Sequence, residues 1–157
     1  MDKAESFFRR SITPTIKKLG MWSEAAETIL LMIACHESMG FRHRVQQGGP
    51  ALSYFQIEPD TLDDLYTNYL AFRPEKQTML DQYLPEGMSR LEALANDDAY
   101  ACAAARLQLY RVPEALPEAD DLEGLARYCK THWNTDAGKA TWQKYLDDFN
   151  HNKPEGF

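Results

Sequence analysis

"SEAAETILLMIACHESMG", residues 23–40, is the stretch whose reading decides the fold class. Ala26, Ile29, Leu30, Ile33 and Ala34 recur at spacings of three and four, the period of an α-helix with an apolar face. Ser23 is a candidate N-cap and Gly40 a natural C-terminal stop, so the pattern predicts a helix over 23–39. Glu37 follows Ile33 by four positions and Ala34 by three, which puts a carboxyl on the apolar face, at the negative end of the helix. Burial and the helix terminus both disfavour its ionised form, and Arg42 and Arg44 oppose them if their head groups come near. A carboxyl that keeps its proton near neutral pH is a candidate general acid. A carboxylate tied to Arg42 or Arg44 is instead an ordinary structural helix end.

The flanking chain carries further helix signals. Residues 3–19 present Phe7, Phe8, Ile12, Ile16 and Leu19 as apolar points, with Pro14 inside, where a kink or split is expected. Gly48, Gly49, Pro50 and Pro59 punctuate residues 41–59, which read as irregular structure with at most a small β hairpin. Helices are expected over 60–72, 74–84 and 89–112. The last of these opens on a Ser89/Glu92 capping box and is open to a break at Asn96-Asp97-Asp98. Two final helices, 120–132 and 137–149, flank "HWNTDAG". The expected architecture is mainly α, a single domain of about six to eight helices. Its parts are an N-terminal helix (1–20), a central body (22–135) and a C-terminal helix and tail (136–157).

Composition narrows the function classes. The 157 residues are 44% hydrophobic and 26% charged, ordinary for a soluble globular chain able to bury a core. The net charge of -7 argues against a general affinity for nucleic acid or for anionic membranes. No apolar run reaches the roughly 18 residues of a spanning helix, and the N-terminus lacks the apolar stretch of a signal peptide. The expectation is a protein made in the cytoplasm, and any action outside it needs other carriers. Cys35, Cys102 and Cys129 lie far apart in helical apolar contexts and read as buried free thiols. The four histidines show no metal-ligand spacing, so neither a metal nor a cofactor is expected. Cys35 and His36 are adjacent, but adjacent helical residues do not face each other, which argues against a Cys–His nucleophile.

The segment "GGPALSYFQIEP", 48–59, adds aromatic faces and an amide downstream of Glu37. Tyr54, Phe55 and Gln56 are residue types that suit a sugar, which offers apolar C–H faces and many hydroxyls; a buried edge hairpin would use them equally well. Glu37-Ser38, a glycine-containing turn, then Ser53-Tyr54-Phe55-Gln56-Ile57 with Pro59 resembles the soluble lytic transglycosylases of the lysozyme superfamily. Their pattern is Glu-Ser, a variable loop, then Gly-Leu-aromatic-or-Met-Gln-Ile and a proline. The separation here, 56 − 37 = 19, fits that loop. Tyr128 matches the tyrosine of a third family element, and "HWNTDAGKATWQKYL" is similar to the tails of small bacteriophage proteins with the same motifs.

This resemblance implies a lysozyme-like domain acting on peptidoglycan glycan strands at the bond between N-acetylmuramic acid and N-acetylglucosamine. Glu37 would be acid and then base, with Ser38, Ser53, Tyr54, Gln56 and Tyr128 toward the substrate. Association with other virion proteins, or packaging in a virion, also follows from it. Glu58, two residues beyond Gln56, is a candidate second carboxylate for a hydrolytic site. Two positions depart from the pattern: Ser53 stands for the family glycine and Cys129 for the asparagine after the tyrosine. A side chain at 53 would narrow the approach to a sugar. These departures leave open an alternative, a lysozyme-fold virion structural or binding protein without catalysis.

Overall fold

Pro14 has no N–H to give the Arg10 carbonyl, and its ring would collide with that carbonyl in a plain α-helix. A computed structural model, which describes residues 1–45, 49–133 and 139–157, shows how the chain absorbs this. Helix α1 runs as Lys3–Phe7, then a π-turn Phe8–Ile12, then Thr13–Lys18, with the Thr13 N–H bonded to the Phe8 carbonyl. The wider turn keeps the helix going through the proline, a usual role for a π-bulge.

Helix α2 (Glu24–Glu37) starts where Ser23 Oγ accepts the Ala26 N–H at 2.9 Å. Its expected single apolar face is too narrow a description. Every residue from Thr28 to Cys35 is buried, so the helix is enclosed on all sides. Polar Glu24, Glu27, His36 and Glu37 occur only near its ends, as the physics of burying charge requires.

Six more helices among the described residues complete the fold: α3 (Pro59–Asn68), α4 (Pro74–Asp81), α5 (Arg90–Asn96), α6 (Asp98–Tyr110), α7 (Leu122–Tyr128) and α8 (Trp142–Asn152). The Ser89/Glu92 capping box opens α5, with both reciprocal bonds present. The break between α5 and α6 falls at Asp97, whose extended backbone ends one helix while its carboxylate accepts the Tyr100 N–H of the next. The stretch expected as one helix to residue 72 stops at Asn68 and passes through Tyr69 into a 3-10 turn, Leu70–Phe72. The last helix begins later than residue 137, because Thr141 caps it by accepting the Lys144 N–H at 3.2 Å. Residues 137 and 138 themselves lie outside the described residues, as does Gly48. After α7 the chain continues as a π-turn, Cys129–Trp133.

One continuous apolar core draws on all eight helices. Alanines 101 and 103–105 of α6 are buried and let neighbouring helices approach closely. The Tyr66 hydroxyl, at the core, donates to Asp81 at 2.8 Å and lies 2.8 Å from the Tyr100 hydroxyl. Cys35, Cys102 and Cys129 are buried and unbridged. Burial pushes the Cys35 thiol up to about 12, which removes it as a nucleophile at neutral pH. Between residues 41 and 59 the described chain forms isolated bridges, Val45 with Leu52 and Leu52 with Ile57, and no strand. No helix among the described residues is long and apolar enough to cross a membrane.

Candidate functional site

Helix α2 ends in an unusual turn. Met39, Gly40 and Phe41 all have left-handed backbone, with φ of 53°, 72° and 66°. For the two residues with side chains this conformation costs roughly 1–2 kcal/mol each. Gly40 suits the turn by its φ, and a Cβ there would meet Asn152 Oδ1 of α8, so the Asn152 side chain would have to move. Ser38 clamps the turn. Its Oγ donates to the Ala34 carbonyl and accepts the Phe41 N–H, both at 2.6 Å. Its own carbonyl accepts the Arg42 and His43 N–H groups at 3.0 Å. The Phe41 ring is thereby buried against Phe7 and Tyr54, at 5.6 and 5.1 Å between centroids. The resemblance turns Ser38 toward substrate; its side-chain bonds here are those of the helix closure.

Glu37, the last residue of α2, is part-buried, and the Tyr145 hydroxyl of α8 donates to its Oε2 at 2.8 Å. Beside it, His36 Nδ1 lies 2.7 Å from Asp148 Oδ2, and the His36 ring stacks on Tyr145 at 3.9 Å between centroids. Lys144 donates to the other Asp148 oxygen at 2.7 Å. Burial holds the Glu37 carboxyl above the usual range, opposed in part by the Tyr145 bond and by the nearby His36. Glu37 also lies close enough to Cys129 of the π-turn to push that thiol further up. The arrangement is a half-buried carboxyl that favours its proton, oriented by one hydroxyl, at the junction of α2, the π-turn and α8.

A raised pKa has a stability consequence with a definite sign. The folded protein binds the Glu37 proton more tightly than the unfolded chain does. Its stabilising effect is present at acid pH and is lost as pH rises through the ordinary glutamate range toward the raised value. Glu37→Gln carries no such titration. Urea unfolding of both forms should therefore show the variant gaining on the wild type as pH rises through the ordinary glutamate range and beyond it. A difference that stays flat with pH would show that the carboxyl ionises freely.

The other candidate residues have the following places. Arg44 does not pair with Glu37; its guanidinium bonds Asp98 at 3.0 Å and the Tyr54 hydroxyl at 3.3 Å. Tyr54 packs edge-on against Phe7 and Phe41, inside an aromatic cluster. Leu52 and Ile57 exchange both backbone bonds at 2.9 Å, which closes a tight loop over residues 53–56. Within that loop the Gln56 amide donates to the Ser53 carbonyl at 2.8 Å. Glu58 is exposed, and its backbone carbonyl opens α3 by accepting from Thr61 and Leu62. The Tyr128 hydroxyl donates to the Glu114 carbonyl at 2.9 Å; the hydroxyl on Glu37 is that of Tyr145.

Ser53 has φ of 69°, the left-handed region that favours glycine, and only 1% of it is exposed. The backbone here therefore has the geometry for which a glycine is best suited. Ser53 Oγ accepts the Phe55 N–H at 3.1 Å, so the side chain is used within its own loop. The stability loss that a serine-to-glycine change ordinarily brings is reversed in sign by this φ, and the lost bond offsets the relief. Ser53→Gly should stay within about 0.5 kcal/mol of wild type in urea unfolding. A loss above about 1.5 kcal/mol would mean that the bond outweighs the strain.

Sequence reasoning missed Tyr145, Asp148 and the use of His36. The Asp148 side chain is 18% exposed and holds two partners. The available signal was the α8 pattern itself, where Tyr145 and Phe149 are four apart and both buried. Among the described residues no three metal-binding side chains cluster. No family model, curated protein or solved structure matches this chain.

Proposed function

We propose that this protein cleaves peptidoglycan glycan strands, with Glu37 as the single acid and base. The observation that carries the proposal is the Glu37 carboxyl itself: half-buried at a helix end, its proton favoured by burial, and oriented by Tyr145. The Glu-Ser and Tyr-Phe-Gln-Ile-x-Pro motifs supply the substrate class by resemblance. In the first step the neutral Glu37 carboxyl gives its proton to the oxygen leaving N-acetylmuramic acid. The resulting carboxylate then takes the proton of the muramic C6 hydroxyl as that oxygen closes a 1,6-anhydro ring. The Tyr145 hydroxyl bond favours the carboxylate and so assists the proton-donating step. Bond linkage is conserved: one glycosidic C–O bond breaks and one intramolecular C–O bond forms, with no water consumed.

Digestion of purified peptidoglycan followed by mass spectrometry of the released muropeptides tests this. Anhydro-ended products support the proposal. Reducing-end products would instead indicate a water-using glycosidase, and Glu58 would be the first carboxylate to substitute. A second proposal, a binding or virion protein of the same fold without turnover, is favoured by one observation. Gln56 and Tyr128, two of the groups expected to face substrate, are bonded to the protein's own carbonyls. Binding of insoluble peptidoglycan without any release would favour it.

A further inference from the structure

The π-turn of α1 has a second effect. In a plain α-helix Phe8 would stand in the column of Ile12 and Ile16, both fully buried. The Thr13 N–H to Phe8 carbonyl bond adds one residue to the turn, so Phe8 stands over Thr13, and Lys17 follows four residues on. This column lies opposite the start of α2. Together with Arg9, Trp22 and Glu27 it lines a hollow of about 230 Å³.

The walls of the hollow are held in place. Glu27 Oε2 accepts the Thr13 hydroxyl at 2.7 Å and the Trp22 indole N–H at 2.9 Å. Trp22 is 46% exposed, and the one polar atom of its side chain is tied down. Lys17 Nζ sits 5.2 Å from the centre of that ring. Arg9 is held by Glu5 at 3.0 Å, and Phe157 packs edge-on against Phe8 at 4.7 Å. The second Glu27 oxygen, Oε1, accepts nothing from the described residues.

We propose that this hollow binds a saccharide ring, with Trp22 as the stacking face and Glu27, Arg9 and Lys17 as partners for its hydroxyl or amide groups. A pyranose has an apolar C–H face and a polar edge, and the hollow offers a fixed indole beside one acceptor and two donor side chains. Concave sites with an apolar wall and a few oriented polar groups are the general form of small-ligand sites. At about 230 Å³ the hollow is below the 300–1,000 Å³ typical of drug-sized ligands, room for about one ring. Tryptophan supplies area at low entropic cost, and its bond to Glu27 fixes it before binding. Opposite charges, Lys17 and Arg9 against Glu27 in the hollow and Glu5 on Arg9, favour a neutral polar ligand over a strongly charged one.

The site is separate from Glu37. Glu27 and Glu37 are ten residues apart on one helix, about 15 Å along its axis. Binding here does not depend on Glu37 being catalytic. The test uses the full chain carrying Glu37→Gln, so that the probe is not consumed, titrated with chitotriose and followed by the ¹H–¹⁵N signals of the indole groups. The Trp22 signal is assigned by its loss in Trp22→Phe. A saturable shift of that signal is expected, with affinity at least about tenfold weaker in Trp22→Ala by calorimetry. Glu27→Gln should weaken it less, since the amide still accepts one bond. The proposal is overturned if no signal moves at about 10 mM sugar, if other signals saturate while that of Trp22 stays still, or if Trp22→Ala binds as well as the parent. Failure of peptidoglycan cleavage in the wild type leaves these outcomes unaffected.

Discussion

Glu37→Gln is expected to lower the release of muropeptides from purified peptidoglycan by about 10²–10⁴, the usual cost of losing a general acid. Glutamine keeps the shape and can still accept the Tyr145 hydroxyl, so circular dichroism and thermal unfolding should show an intact fold. Tyr145→Phe provides the internal comparison. It removes the hydroxyl on Glu37 but leaves the carboxyl, and should lower release by less than the glutamine variant while moving the alkaline limb of the pH–rate profile, where the Glu37 proton is lost, upward. Equal release by wild type and Glu37→Gln would remove Glu37 from any catalytic role. The proposal of a binding or virion component would then stand in its place.

Ser38→Ala is expected to cost about 1–3 kcal/mol, the penalty for leaving a buried backbone N–H unsatisfied. The group stranded is the Phe41 N–H, inside a run of left-handed backbone that the serine holds closed. For a chain of this size the midpoint of thermal unfolding should fall by about 2–4 °C for each kcal/mol. Ser38→Thr keeps a hydroxyl and should recover part of the loss. A Ser38→Ala protein as stable as wild type would show that the turn is held by Phe41 packing alone. The two substitutions also separate chemistry from scaffold: the first removes turnover with the fold intact, the second weakens the fold next to an unchanged carboxyl.

Local signals in the chain were enough to place its helices, though not all of their ends. Helix α2, the Ser89/Glu92 box, the break at Asp97 and the irregular structure of the described residues between 41 and 58 are each written in residues close together, and each forms as expected. Helix ends and caps depend on bonds spanning three or four positions, and a sequence read locally contains both partners. Pro14 likewise announced a disturbance in α1, although not that a π-turn would absorb it. The special position of Glu37 was also legible, because apolar residues every three or four positions lead up to it.

What only the tertiary structure decided is which side chains meet across long separations. Glu37 and Tyr145 are 108 residues apart, and His36 and Asp148 are 112 apart. Arginines within seven residues of Glu37 were the nearest charges in sequence, yet Arg44 turns to Asp98, 54 positions away. Tyr128 and Tyr145 are both helical, buried tyrosines near the C-terminal end of the chain, and no local pattern distinguishes the one that reaches Glu37. The left-handed backbone at Met39, Phe41 and Ser53 was equally invisible, since none of these residue types announces it. It persists because hydrogen bonds within each turn, and for Phe41 packing against Phe7 and Tyr54, outweigh a cost that residue preference alone would refuse. Periodicity told which residues go inside; the docking of α8 against α2 told which of them touch.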